Sequence, residues 1–208
     1  MKIWPSVMSK NQKELNSYLK ELKGVTKTLH LDIVDGKFAE SKAMWFDFKL
    51  NKNFIYNAHL MIKNPEKWIE KRIKTNNKDI NLFIPHFEEL KNVDQYIKLM
   101  KKEKKKVAFA IKPETKVKEL KPYLNKVDHI LVLTVHPGYY GSPFLPQNLG
   151  KIKQIKKINP KIEVIVDGGV KDRTIKKIKK HNPDILVCGS YIKEAVNKKS
   201  AINYLTHV

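Results

Sequence analysis

One cysteine among 208 residues, Cys188, leaves no partner for an intrachain disulfide. It ends the apolar run Ile185-Leu186-Val187-Cys188, the setting of a buried structural thiol rather than a reactive one. Arginine is almost as scarce. Arg72 and Arg173 are the only two among 42 basic side chains, and the remaining 40 are lysines. Recognition of phosphates and base edges favours the planar, bidentate arginine fork, so the formal charge of +21 does not by itself define a nucleic-acid binder. The lysines are also scattered. Runs such as 101–106 and 176–180 fall on segments whose apolar residues keep helical spacing, as Val170, Ile175 and Ile178 do, and they read as solvated helix faces. Their summed field attracts anionic substrates. Missing too is any apolar stretch of membrane-spanning length, and Met1-Lys2-Ile3-Trp4-Pro5-Ser6 lacks the long apolar core of a signal peptide. The expectation is a cytoplasmic protein with no membrane partner. No short repeat or low-complexity linker divides the chain, and one domain over residues 1–208 is expected.

What the chain does have is apolar runs that end in polar clusters. Eight runs read as strands: 2–7, 28–34, 54–61, 80–86, 107–112, 129–135, 162–167 and 185–188. Helix-like segments at 10–23, 64–75, 88–104, 116–125, 146–158, 171–181 and 193–205 separate or follow them. The segment at 64–75 opens on Asn64-Pro65, a cap followed by a first-turn proline. The link after the second strand has no clear period. Several strands, such as Val107-Ala108-Phe109-Ala110-Ile111, are nearly continuous in apolar residues, which marks strands covered on both faces and hence a parallel sheet. Strands alternating with helices in this way predict an α/β fold, a single-domain (β/α)8 TIM barrel, rather than an open doubly wound sheet.

In such barrels chemistry sits at the C-terminal ends of the strands. There the chain places His30-Leu31-Asp32-Ile33-Val34-Asp35-Gly36, Asn57-Ala58-His59, His86-Phe87-Glu88 and Val166-Asp167-Gly168-Gly169. Alternate side chains of a strand share a face, so His30 and Asp32 point one way and Leu31 and Ile33 the other. Together with His59 and Asp167 they form a mixed nitrogen and oxygen set suited to one divalent ion. A lone strand-end histidine is commonly structural, but four matching positions on one barrel face favour a site. Two aspartates flanking a bound sugar can take a proton from one face and return one to the other. His86 and Glu88 fit either the orienting of ligands or an ordinary hydrogen-bonded strand end. His136, before Pro137-Gly138, can face a sugar, while His129, His181 and His207 read as surface residues.

The order of these motifs resembles the ribulose-phosphate 3-epimerase family over nearly the whole chain. The resemblance runs through Pro5-Ser6, His30-Leu31-Asp32-Ile33-Val34-Asp35-Gly36, His59-Leu60-Met61, Lys112-Pro113-Glu114-Thr115, Thr134-Val135-His136-Pro137-Gly138-Tyr139, Val166-Asp167-Gly168-Gly169 and Cys188-Gly189-Ser190. It implies that His30, Asp32, His59 and Asp167 bind one divalent metal ion, commonly zinc, iron, manganese or cobalt. Asp32 and Asp167 are then the catalytic acid and base pair. The implied reaction is reversible epimerisation at C3 of a ketose phosphate, D-ribulose 5-phosphate to D-xylulose 5-phosphate. The resemblance also implies substrate contacts from His59 and from Ser6, which fits equally as a helix cap. Phosphate would be held by backbone around Gly138, Tyr139, Tyr140, Gly141 and Ser142, around Gly168 and Gly169, and around Gly189 and Ser190.

Some positions depart from the family pattern. Asn57 stands where aspartate is usual, and Val34 and Leu133 stand where methionines approach the sugar, with Met61 retained. Tyr140 replaces a small residue, and Ala39-Glu40-Ser41 departs from the usual segment after the aromatic at Phe38. No ligand or carboxylate is lost. A D-allulose 6-phosphate 3-epimerase shares the retained chemistry. The alternative of another class is a non-catalytic barrel that binds RNA or another polyanion through its lysines. Asp35 reads as a turn residue or a support for the ligands, and a homo-oligomer is left open.

Overall fold

The computed structural model describes residues 1–75, 79–138 and 141–208. Along the chain run β1 (Lys2–Val7), α1 (Gln12–Leu22), β2 (Thr28–Asp35), β3 (Lys42–Ala43), β4 (Ile55–Met61), α2 (Pro65–Lys74), β5 (Ile80–Pro85), α3 (Val93–Lys102), β6 (Ala108–Ile111), α4 (Val117–Leu120), β7 (His129–Leu133), α5 (Gly150–Ile158), β8 (Glu163–Asp167), α6 (Asp172–Lys179), β9 (Ile185–Cys188), α7 (Ser190–Glu194) and α8 (Lys198–His207). Eight of the strands pair in the order β5-β4-β2-β1-β9-β8-β7-β6, each neighbour parallel. The two ends meet through one parallel bridge, His86 to Ala110. The result is a nearly closed (β/α)8 barrel.

The two-residue period of the strands sorts their side chains. Outward residues such as Leu31, Ile33, Ala58, Leu60, Phe109, Ile130 and Val164 pack against the helices in the main core. Inward residues Trp4, Leu82, Ile84, Ala108, Ala110, Leu131, Leu133, Ile165, Ile185 and Val187 fill the barrel. Burial on both faces explains why these strands read as continuous apolar runs. The filling is uneven around the barrel. His30, Asp32, Asn57, His59 and His86 are all buried on β2, β4 and the end of β5.

The link after β2 holds no helix among the described residues. It turns back as β3, antiparallel to β2, with Val34 opposite Ala43 and Asp35 opposite Lys42. Other helical segments break where backbone groups find nearer partners. The 88–104 segment becomes a 3-10 turn at Phe87–Glu89 and then α3, whose Asn92 side chain accepts the Gln95 N–H as a cap. Helix α4 ends at Leu120, although Leu124 beyond it is still buried. The 193–205 segment divides at Asn197, which caps α8 by accepting the Ser200 N–H. Asn64 makes no side-chain cap and holds a left-handed backbone, while Pro65 does begin α2. Cys188 is fully buried, and burial pushes its thiol up to about 12.

Candidate active site

Register brings the strand-end residues together. Asp32 on β2 pairs with His59 on β4, and His30, one inward step earlier, pairs with Asn57. Asp167 closes the set from β8, which β1 and β9 separate from β2. One ligand atom from each of His30, Asp32, His59 and Asp167 lies within 4.8 Å of every other. His59 Nδ1 stands 3.3 Å from both Asp32 Oδ1 and Asp167 Oδ2; His30 Nε2 stands 3.4 Å from Asp32 Oδ1 and 3.8 Å from Asp167 Oδ2.

These separations test whether the residues fit a metal. Atoms about 2.1 Å from a common centre in a tetrahedron lie about 3.4 Å apart, close to the four histidine–aspartate separations. His30 Nε2, His59 Nδ1 and Asp32 Oδ1 are buried without a hydrogen-bond partner among the described residues. Buried polar atoms left in this way are costly, and a shared cation satisfies them together. Burial alone would lower the His59 pKa, but the Asp167 and Asp32 carboxylates raise it to about 9. Burial would likewise raise Asp32, yet His30 and His59 hold its carboxyl far below the usual carboxylate range. The same two carboxylates that favour a proton on His59 favour a cation held among these groups. The residues fit a divalent ion.

Supporting contacts fix the two aspartates differently. Asp32 is buried, and its Oδ2 accepts a hydrogen bond from the Ser6 hydroxyl. Asp167 keeps 15% of its side chain exposed and borders an open pocket with Ser6 and Asp32. Met8, Met61, Leu133, Val135 and Val187 give that pocket apolar walls. Gly138, Gly141, Ser142, Gly168, Gly169, Gly189 and Ser190 line it as well. Tyr139 and Tyr140 lie outside the described residues. His30 and His59 are fully buried beneath the pocket and form no part of its lining. Gly168 and Gly169 hold positive φ angles of 104° and 66°, and a Cβ on Gly168 would come within 2.4 Å of Val135. Only glycine fits both demands.

The remaining histidines separate. His86 Nε2 meets His59 Nε2 at 3.0 Å, and His86 Nδ1 meets Glu88 Oε2 at 3.2 Å. His136 borders the pocket but is exposed and faces Glu114 at 3.3 Å. His129, read from sequence as a surface residue, is buried and paired with Glu163 at 2.9 Å. Asp35 accepts the backbone N–H groups of Lys37, Phe38 and Lys63, so it ties the ends of β2 and β4. Met8 and Lys171 are pocket residues that escaped the sequence reading. Lys171 lines the pocket two residues after Gly169, and its place between a glycine pair and a helix start was the available signal.

The class is that of a (β/α)8 barrel with a histidine and aspartate cluster, able to hold a divalent ion, at the C-terminal rim of its strands. A model of the ribulose-phosphate 3 epimerase family matches residues 2–193. The chain belongs to this family, whose members are isomerases. It is 31% identical over 195 residues to the ribulose-phosphate 3-epimerase of Eremothecium gossypii, covering 85% of this chain and 79% of that protein. With the Buchnera aphidicola enzyme of that name it shares 31% identity over 204 residues, 92% of this chain and 88% of that one. Among solved structures, 3-keto-L-gulonate-6-phosphate decarboxylase from Vibrio cholerae shares the fold. Its TM-score is 0.70 at 10% identity, covering 99% of this chain and 95% of that one.

Proposed function

We propose that the protein interconverts D-ribulose 5-phosphate and D-xylulose 5-phosphate, with one of Asp32 and Asp167 removing the C3 proton and the other delivering a proton to the opposite face. The observation that carries this reading is the convergence of both carboxylates and two histidines within 4.8 Å, the carboxylates lining the pocket and the histidines buried beneath it. His30, Asp32, His59 and Asp167 would hold a divalent ion, which would supply positive charge to offset the negative charge that develops on the sugar as the C3 proton leaves. Ser6 holds one Asp32 oxygen, orienting that carboxylate. Asp167 approaches from β8, three strand positions around the barrel from β2, so a sugar seated between them meets one carboxylate on each face. One takes the proton from C3, and the other protonates the planar enediolate from the opposite side, inverting the centre. The roles exchange in the reverse direction. Met8, Met61, Leu133, Val135 and Val187 cover the sugar with apolar surface, which excludes water from the reacting carbon. Phosphate sits against the backbone of Gly168, Gly169, Gly189 and Ser190, where Lys171 adds a cation.

The test is to strip the protein of metal and assay D-ribulose 5-phosphate and D-allulose 6-phosphate in parallel, restoring zinc, iron, manganese or cobalt singly. The proposal expects turnover of the pentulose phosphate only after a metal is restored. Preference for the hexulose phosphate would reassign the substrate, and inactivity with every metal would overturn the reading.

A further inference from the structure

The His59 ring presents one nitrogen to the carboxylates and the other to His86. Its Nδ1 lies 3.3 Å from Asp32 Oδ1 and from Asp167 Oδ2, while its Nε2 lies 3.0 Å from His86 Nε2. Two imidazole nitrogens that close share one proton, so one must donate and the other accept. The second nitrogen of His86 faces Glu88 Oε2 at 3.2 Å. The other Glu88 oxygen accepts the backbone N–H of Lys112 at 2.8 Å and the hydroxyl of Thr115. Phe38 packs on the His86 ring with centroids 4.4 Å apart, which holds the imidazole in place. Both histidines are fully buried, and their 3.0 Å separation is a direct contact.

We infer that Glu88, acting through His86, fixes the tautomer in which His59 turns a bare Nδ1 toward the metal. The inference rests on reading the four-residue cluster as a metal centre. Binding through Nδ1 leaves the His59 proton on Nε2, where it can only be donated to His86 Nε2. His86 must therefore carry its own proton on Nδ1. That proton needs an acceptor, and ionised Glu88 is purely an acceptor. The backbone N–H of Lys112 cannot turn away from Glu88, so the carboxylate is anchored at one end and free to accept at the other. Glu88 is a positioning residue, two hydrogen bonds removed from the metal.

This wiring makes Glu88→Gln informative. The fixed Lys112 N–H draws the amide oxygen of a glutamine, which leaves the amide NH2 facing His86 Nδ1. Two donors then oppose each other, and the conflict is relieved only by moving the His86 proton to Nε2, against the proton that metal binding requires on His59. Glu89→Gln removes the same charge one residue away, from a carboxylate that pairs with Lys63 and Lys112 instead of His86. It separates proton placement from simple charge.

The experiment measures zinc affinity of the full-length proteins by chelator competition and reads imidazole nitrogen-15 resonances of the zinc-loaded wild type. Expected are a His86 protonated on Nδ1, a loss of zinc affinity of about 10- to 100-fold in Glu88→Gln, and near wild-type affinity in Glu89→Gln. A His86 protonated on Nε2, or a Glu88→Gln protein that binds zinc as tightly as wild type, overturns the inference. Should Glu88→Gln fail to fold, the wild-type spectrum decides alone. A wild type that binds none of zinc, iron, manganese or cobalt overturns the metal-centre reading as well; wild-type binding with an unaffected Glu88→Gln overturns the tautomer assignment alone.

Discussion

Asp32 and Asp167 belong to one cluster but live in different surroundings, one buried and held by Ser6, the other partly open to the pocket. Asp167→Asn keeps the size of the side chain while removing its proton acceptor. Turnover of D-ribulose 5-phosphate should fall about 10²- to 10⁴-fold or more while the urea unfolding midpoint stays near wild type. Near wild-type turnover would remove Asp167 from the mechanism. His129, far from the pocket at the start of β7, supplies a pH prediction. Burial is the main cause that lowers its pKa, and it outweighs the opposing pull of Glu163 and Asp128. Below an ordinary value of about 6.5 the unfolded chain takes up a proton that the folded state resists, so this contribution to stability is lost as pH falls. Urea midpoints between pH 7.5 and 5 should decline less steeply in His129→Gln than in wild type, and parallel curves would contradict the assignment. The four clustered residues were legible in sequence because each follows an apolar strand. Glu88 was ambiguous there because its partners, Lys112 and Thr115, lie 24 and 27 residues away.

Among the elements, the seam between β5 and β6 is the weakest part of the barrel wall, with one backbone bridge between the strands. Side chains reinforce it. The buried Tyr96 hydroxyl, carried by α3, lies within hydrogen-bonding reach of the Phe83 carbonyl at 3.0 Å and the Ala108 carbonyl at 3.2 Å. Lys105 Nζ donates to the Ile80 carbonyl at 2.6 Å, and Glu88 accepts the Lys112 N–H past the end of β6. Tyr96→Phe should therefore cost about 1–2 kcal/mol in urea unfolding, and an unchanged midpoint would show that the hydroxyl does not hold the seam. None of this was legible in the sequence. A strand announces itself by its own two-residue pattern, whereas closure depends on a helix side chain reaching two other backbones. The link after β2 was opaque for a related reason. Its structure comes from β3 pairing with β2 and from the Ser41 hydroxyl donating to the Gly138 carbonyl, neither of which leaves a local period.

For the whole molecule, one division organises everything else. The barrel interior is apolar along β6, β7 and β9, while buried polar groups gather on β2, β4 and the end of β5, with Asp167 reaching in from β8. Buried polar groups on that scale are tolerated where a ligand or ion satisfies them. The net charge of +21 makes the molecule as a whole attractive to anions. A proton that leaves one face of C3 and is replaced on the other from a carboxylate exchanging with water must leave an isotopic record. The most direct measurement is therefore to convert D-ribulose 5-phosphate in deuterated water with metal-loaded protein and locate the label by NMR. The account predicts D-xylulose 5-phosphate carrying deuterium at C3. Product formed at full rate with protium retained at C3 would contradict it.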